Sequence, residues 1–212
     1  YFRSEDFALQ ITVTADNAKA TVESLRDLLK NANQLNTELY DKALMLLAGL
    51  ETNLADLAAL VNIAVKDADD LYFIGRGPDC PAATECSLKL KEISYVHSEA
   101  YAAGELKHGT LSLVEEGTPV VALANDSRYF DKMAGNIREV RARGGYVTLI
   151  CTDDFPHPTE YGDSIFVLPK TEPLFSPLVS VAACQILSYE IALLRGCDVD
   201  HPRNLAKSVT VE

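Results

Sequence analysis

PVVALANDSRYFDKMAGNIREVRARGGYVTLIC, residues Pro119 to Cys151, carries a strand, a helix and a second strand in one continuous reading. PVVALA (Pro119 to Ala124) and YVTLIC (Tyr146 to Cys151) are short, apolar and rich in β-branched residues, the composition of strands covered on both faces. Between them Phe130 to Arg143 reads as a helix, and Gly144-Gly145 is a C-cap and turn signal into the next strand. Strand, helix, strand over such a distance is the crossover unit of a parallel sheet.

The same grammar extends outward. LYFIG (Leu71 to Gly75) precedes the unit and SIFVL (Ser164 to Leu168) follows it, with helices expected over Pro81 to His97 and Phe175 to Arg195. The fold class is therefore α/β, a doubly wound parallel sheet flanked by helices. Ligands of such sheets sit off the carboxyl ends of the strands, where Gly75-Arg76-Gly77 and Asn125-Asp126-Ser127 fall. The Gly75-Arg76-Gly77 turn has two readings, an anion cradle built from backbone N–H groups and a tight structural turn. Upstream, Ala18 to Leu29 and Leu39 to Val65 carry apolar residues at helical intervals, so residues 1–66 read as a helical extension. Leu44, Leu47, Leu50, Leu54 and Leu57 form a stripe that serves either core packing or a partner. The chain thus divides into that extension, a sheet domain over 67–196 and a tail over 197–212.

Composition narrows the function. A formal net charge of −12 over 212 residues argues against nucleic acid and anionic membrane surfaces, both of which reward Lys/Arg stripes. An anionic substrate would need a local positive pocket, because the general field repels it. Five cysteines (Cys80, Cys86, Cys151, Cys184, Cys197), odd in number and without CxxC spacing, read as free thiols of a reducing, cytoplasmic compartment. His97, His108, His157 and His201 lack a ligand spacing, so no metal is expected. Neither a signal peptide nor an apolar run of about 20 residues is read.

The chemistry concentrates in LKLKEIS. Glu85, Lys89 and Glu92, spaced by four and three, share a helix face. A carboxylate aimed at a C–H next to a carbonyl is a candidate general base, and the alternative is an exposed ion-paired helix. YAAGELKHGT follows, where Gly104 and Gly109 bracket a polar turn bearing His108, a side chain that titrates near neutrality. The tail, DVDHPRNLAKSVTVE, contains Pro202 and has no helical period. Lys207 within it is either a surface amine or, if desolvated, an imine-forming lysine.

Taken together, LKLKEISYVHSEAYAAGELKHG, the Gly75-Arg76-Gly77 turn, EVRARGG (Glu139 to Gly145) and the terminal DVDHPRNLAKSVTVE resemble the isomerase part of the glucosamine-6-phosphate synthase family, over about Leu71 to Glu212. The family builds that part from two sugar-isomerase (SIS) modules, and this chain resembles the second, a flavodoxin-like three-layer sandwich. The resemblance implies that Glu92 moves a proton between C1 and C2 of the sugar and that Lys207 forms an imine with open-chain fructose 6-phosphate. It implies that His108 assists ring opening, reaching the neighbouring subunit's site in a homodimer, and that Lys89 supports the proton transfer. The implied product is glucosamine 6-phosphate, the entry to UDP-N-acetylglucosamine; no cofactor is implied. The family grips the sugar phosphate with a serine- and threonine-rich loop of the first module. Here the corresponding strand end, VVALANDSR, offers only Ser127. No glutaminase cysteine stands at the start, Tyr1-Phe2-Arg3, so a glutaminase domain and a first module are expected as partners outside this sequence. Two other readings stay open: a stand-alone module that binds phosphosugars in a regulatory role, and a related sugar isomerase or fructosamine deglycase.

Overall fold

Apolar runs covered on both faces become the strands of one parallel sheet. The computed structural model describes residue 68 and residues 70–204. The helices expected over 18–29 and 39–65, within the extension over 1–66, and Lys207 in the tail lie outside the described residues. In chain order the elements are β1 (Asp70–Gly75), α1 (Asp79–Ser94), β2 (His97–Ala102), two short 3-10 turns (Ala103–His108 and Thr110–Leu113), β3 (Pro119–Ala124), α2 (Phe130–Arg141), β4 (Tyr146–Thr152), β5 (Ser164–Leu168) and α3 (Ser176–Leu194). The sheet order is β2-β1-β3-β4-β5, with every pairing parallel.

Alternation along each strand sends side chains to two cores. Leu71, Phe73, Val121, Leu123, Ile150 and Phe166 meet α1 and α3 through Leu90, Cys86, Cys184 and Ile191. Tyr72, Ile74, Val120, Ala122, Val147 and Leu149 meet α2 and the 3-10 turns through Met133, Ile137, Val140 and Leu106. Met133, Ile137 and Val140 recur at helical spacing, so one stripe of α2 is buried while its other side stays wet. Burying Ile137 alone contributes about 2 kcal/mol. With α1 on one face and α2 on the other, the chain winds toward β2 in one direction and toward β4 in the opposite one. The reversal leaves a crevice beyond the carboxyl ends of β1 and β3.

Within the described residues the expected strands and helices form, with one addition and one correction. The helix expected over Pro81 to His97 stops at Ser94, because Tyr95 turns into the left-handed region (φ 61°, ψ 15°). His97 instead opens β2, in register with Asp70. Sequence reasoning missed β2 because, among the described residues, it pairs only with β1. HSEAYA at that edge is mostly half-exposed and lacks the apolar run that betrays a central strand. Helix α3 is long and apolar enough to cross a membrane by length and composition, a run that composition alone had not suggested, but half of it is buried in the protein. All five cysteines are free thiols.

Candidate active site

About three and a half turns of α1 separate its start at the crevice from the carboxylate singled out by sequence. Because β1 and β2 are parallel, α1 must run back from the carboxyl end of β1 to the amino end of β2. Lys89 and Glu92 sit on its last turns, and Lys89 Nζ donates to Glu92 Oε2 at 2.7 Å. Glu85 lies 3.5 Å from the same ammonium. The hydrogen bond to Glu92 raises the Lys89 pKa above the ordinary lysine value; desolvation opposes it, and the charges of Glu92 and Glu85 add to the rise. Lys89 is thus a fixed cation, and both partners stay partly solvent-accessible, 31% and 27% exposed. Among the described residues Glu92 Oε1 has no hydrogen-bond or ion-pair partner, which leaves one carboxylate oxygen open.

The tail returns to this same end. Helix α3 also runs from the carboxyl to the amino end of the sheet, where the Cys197 thiol reaches the Ser94 carbonyl at 3.7 Å. Asp198 then accepts the backbone N–H groups of Asp200 and His201 at 3.0 and 3.1 Å, which reverses the chain and lowers the Asp198 pKa. Arg203 N–H donates to the Tyr95 hydroxyl at 2.9 Å, and the Arg203 guanidinium stacks on the Tyr95 ring at 4.0 Å. The tail therefore meets α1 beside the residue three positions after Glu92, at Arg203, four residues before Lys207.

His108 is elsewhere. It closes the 3-10 turn that follows β2, at the carboxyl end of the sheet, with its side chain 76% exposed. Its nearest ionic neighbour is Glu105, at 3.7 Å. Glu92 stands 13 residues along α1 from Asp79, about 20 Å at 1.5 Å per residue, so Glu92 and His108 occupy opposite ends of the sheet within one chain. A groove of about 630 Å³ opens beside the histidine turn, lined by Lys107, Gly109, Leu111, Ser112, Glu139 and Arg143. Lys107 and Glu139 pair across it at 2.7 Å.

The crevice at the carboxyl ends is filled by the protein's own groups. Backbone N–H groups of Asp79 and Cys80 are bonded to the carbonyls of Arg76 and Gly77, at 3.2 and 3.1 Å. Asp79, 2% exposed, accepts the Asn125 backbone N–H at 2.7 Å and the Ser180 hydroxyl at 3.3 Å. Burial raises the Asp79 pKa, and the bonds from Asn125 and Ser180 partly offset that rise. Arg76 donates to Asn136 at 2.9 Å, and a Cβ on Gly104 would press on its guanidinium at 2.9 Å. Gly77 sits at φ 56° with the Tyr129 ring where a side chain would be. The structural reading of Gly75-Arg76-Gly77 is favoured over the anion cradle, because Gly77 holds the positive φ of a tight turn and the N–H groups that open α1, those of Asp79 and Cys80, are spent on the turn's own carbonyls. Sequence reasoning missed the Asp79–Asn125–Ser180 network; an aspartate at the first helical position after a glycine turn was its one local signal. It also missed Tyr95, which carries none. Among the described residues no group of three or more His, Cys, Asp or Glu side chains is arranged to hold a metal ion.

Comparison with known proteins gives this geometry a family. A protein-family model described as the SIS domain matches residues 64–195. The isomerizing glutamine–fructose-6-phosphate aminotransferase of Caldanaerobacter subterraneus subsp. tengcongensis is 54% identical over 143 residues, 68% of this chain and 24% of that protein. The Thermus thermophilus enzyme of the same name is 50% identical over 156 residues, 74% of this chain and 26% of the relative. The chain spans about a quarter of the length of these curated relatives. Among solved structures, the C-terminal domain of glucosamine-fructose-6-phosphate aminotransferase from Francisella tularensis superposes with a TM-score of 0.71 at 35% identity, covering 78% of this chain and 46% of that one.

Proposed function

The chain belongs to the SIS domain family, and on that footing we propose that it is the second SIS module of an isomerizing glutamine–fructose-6-phosphate aminotransferase. In this reading the longer enzyme converts fructose 6-phosphate and glutamine-derived ammonia to glucosamine 6-phosphate, which feeds UDP-N-acetylglucosamine synthesis in the cytoplasm. Three parts make the module: the extension over 1–66, the SIS domain over 67–196 and the site-closing tail over 197–212. A glutaminase domain supplies ammonia and a first SIS module grips the sugar phosphate. Neither nucleic acid nor membrane is a partner, and no cofactor takes part.

The observation that carries this reading is the convergence of the Lys89–Glu92 pair and the C-terminal tail at one end of the sheet. An enzyme that moves a proton between adjacent sugar carbons needs a carboxylate within reach of both. Glu92, with Oε2 held by Lys89, takes the proton from C1 and returns it at C2 through its open oxygen. Lys89 fixes the rotamer of that carboxylate and stays cationic throughout. Lys207 attacks the C2 carbonyl of the open-chain sugar and forms an imine with loss of water, and ammonia then displaces the lysine amine from C2 by transimination. His108 assists ring opening, and its distance from Glu92 within one chain supports a homodimer in which each subunit's histidine serves the other's site. The self-satisfied crevice at Asp79 and Arg76 supports a phosphate grip outside this module.

The test is Glu92→Gln in the full-length enzyme. Turnover to glucosamine 6-phosphate should fall by at least 100-fold with folding intact, as expected for loss of a general base. Near-normal turnover in that variant would sink the proposal.

A further inference from the structure

Helix α1 ends on a residue that does not suit the position. Tyr95 occupies the C-cap at φ 61° and ψ 15°, a conformation where glycine is the default because a Cβ is disfavoured there. A non-glycine residue held in this region is a reason to ask what its side chain does. Its hydroxyl accepts the Arg203 N–H at 2.9 Å, and its ring receives the Arg203 guanidinium at 4.0 Å. These contacts join positions 108 residues apart, with Tyr95 half-buried and Arg203 exposed. Neither contact is needed to end the helix, since a left-handed glycine would end it as well. The next tail residue, Asn204, is itself left-handed at φ 61°, so the chain turns immediately beyond the contact.

Both sides of the contact lead to the proposed chemistry. Tyr95 lies three residues past Glu92, about 5 Å along the helix. Lys207 lies four residues past Arg203, so at most about 14 Å of extended chain separates them. We propose that Tyr95 is a positioning residue that, with Arg203, latches the tail to the Glu92 end of α1 and holds Lys207 within reach of the carbons Glu92 serves. This latch rests on the aminotransferase reading above. A tail fixed at Arg203 presents its lysine from a narrow set of positions, and an unlatched tail must search for it.

The decisive variants are Tyr95→Gly and Arg203→Ala in the full-length enzyme. Glycine suits the left-handed cap, so Tyr95→Gly should keep the melting temperature of the parent, and a residue with only a capping role would be silent on replacement. The latch predicts instead that kcat falls about 10- to 100-fold in each variant, while KM for fructose 6-phosphate stays within about threefold. Sodium borohydride, which reduces a lysine–sugar imine to a stable secondary amine, should trap correspondingly less labelled Lys207. Arg203→Lys, which keeps the cation and the backbone donor, should recover most of the turnover. If either decisive variant keeps kcat and imine trapping within twofold of the parent, the latch is wrong. Glu92→Gln measured alongside separates the two ideas: an active Glu92→Gln sinks the function, and an inactive one beside fully active latch variants sinks the latch alone.

Discussion

Glu190 should make this protein more stable in mild acid than in mild base, and Glu190→Gln should remove the difference. The carboxyl lies on α3, 3% exposed, and its burial raises its pKa from 4.5 to about 7. Between those two values the native state keeps a proton that the unfolded chain has released. The native state therefore binds more protons, and stability falls as pH rises through the window, levelling off above pH 7. The linkage integral for a shift of this size is about 1 kcal/mol at pH 5 and about 3 kcal/mol at pH 8. Glutamine has nearly the same shape and no charge, so its own burial cost does not change with pH. The stability of Glu190→Gln relative to the parent should accordingly grow by about 2.5 kcal/mol between pH 5 and pH 8, equivalent to about 5–10 °C in Tm for a chain of this length. Urea unfolding followed by far-UV circular dichroism at both pH values measures it; the chain has no tryptophan to report. Parallel curves, with the same variant-minus-parent difference at pH 5 and pH 8, would refute the claim that desolvation dominates at Glu190.

Asp79→Ala should cost about 2–3 kcal/mol by the same assay, since it orphans the buried Asn125 N–H, while the Ser180 hydroxyl still reaches the Ser176 carbonyl at 2.9 Å. Gly77→Ala combines a positive φ with a collision on the Tyr129 ring, and should cost about 2 kcal/mol or more. Gly117→Ala, at φ 82° but in open space, should cost about 1 kcal/mol, so equal losses at the two sites would show that Tyr129 plays no part. Of the five thiols, Cys80 and Cys197 should react with a chromogenic disulfide in the native protein. Cys86, Cys151 and Cys184 should react only after unfolding, because all three are buried, and burial pushes the Cys151 thiol up to about 12. Rapid modification of all five in the native state would contradict that burial.

What the sequence carried on its own is what is written in local periodicity. LYFIG, PVVALA, YVTLIC and SIFVL were legible as strands because a strand covered on both faces must be apolar throughout. The parallel, doubly wound architecture followed from their alternation with helices. The Lys89–Glu92 pair was equally legible, because a separation of three residues on a helix fixes a contact without reference to anything else in the chain. Edge strand β2 was not, since half of its surface faces solvent and its residues need not be apolar.

Only the tertiary structure decided which ends of the sheet the chemical groups occupy. Glu92 and His108 are 16 positions apart in sequence, yet the crossover geometry sends α1 down one face before β2 returns, which puts the two at opposite ends. Tyr95 and Arg203 are 108 positions apart and meet because α1 and α3 both run toward the amino end of the sheet. Asp79, Asn125 and Ser180 meet for the converse reason, as the β1–α1 turn, the end of β3 and the start of α3 all converge at the carboxyl end. Local sequence fixes each element's direction and exposed chemistry through steric and hydrogen-bonding preferences that act over a few residues. Which elements then share an edge is set by burying two apolar faces at once, and that constraint belongs to the whole sheet.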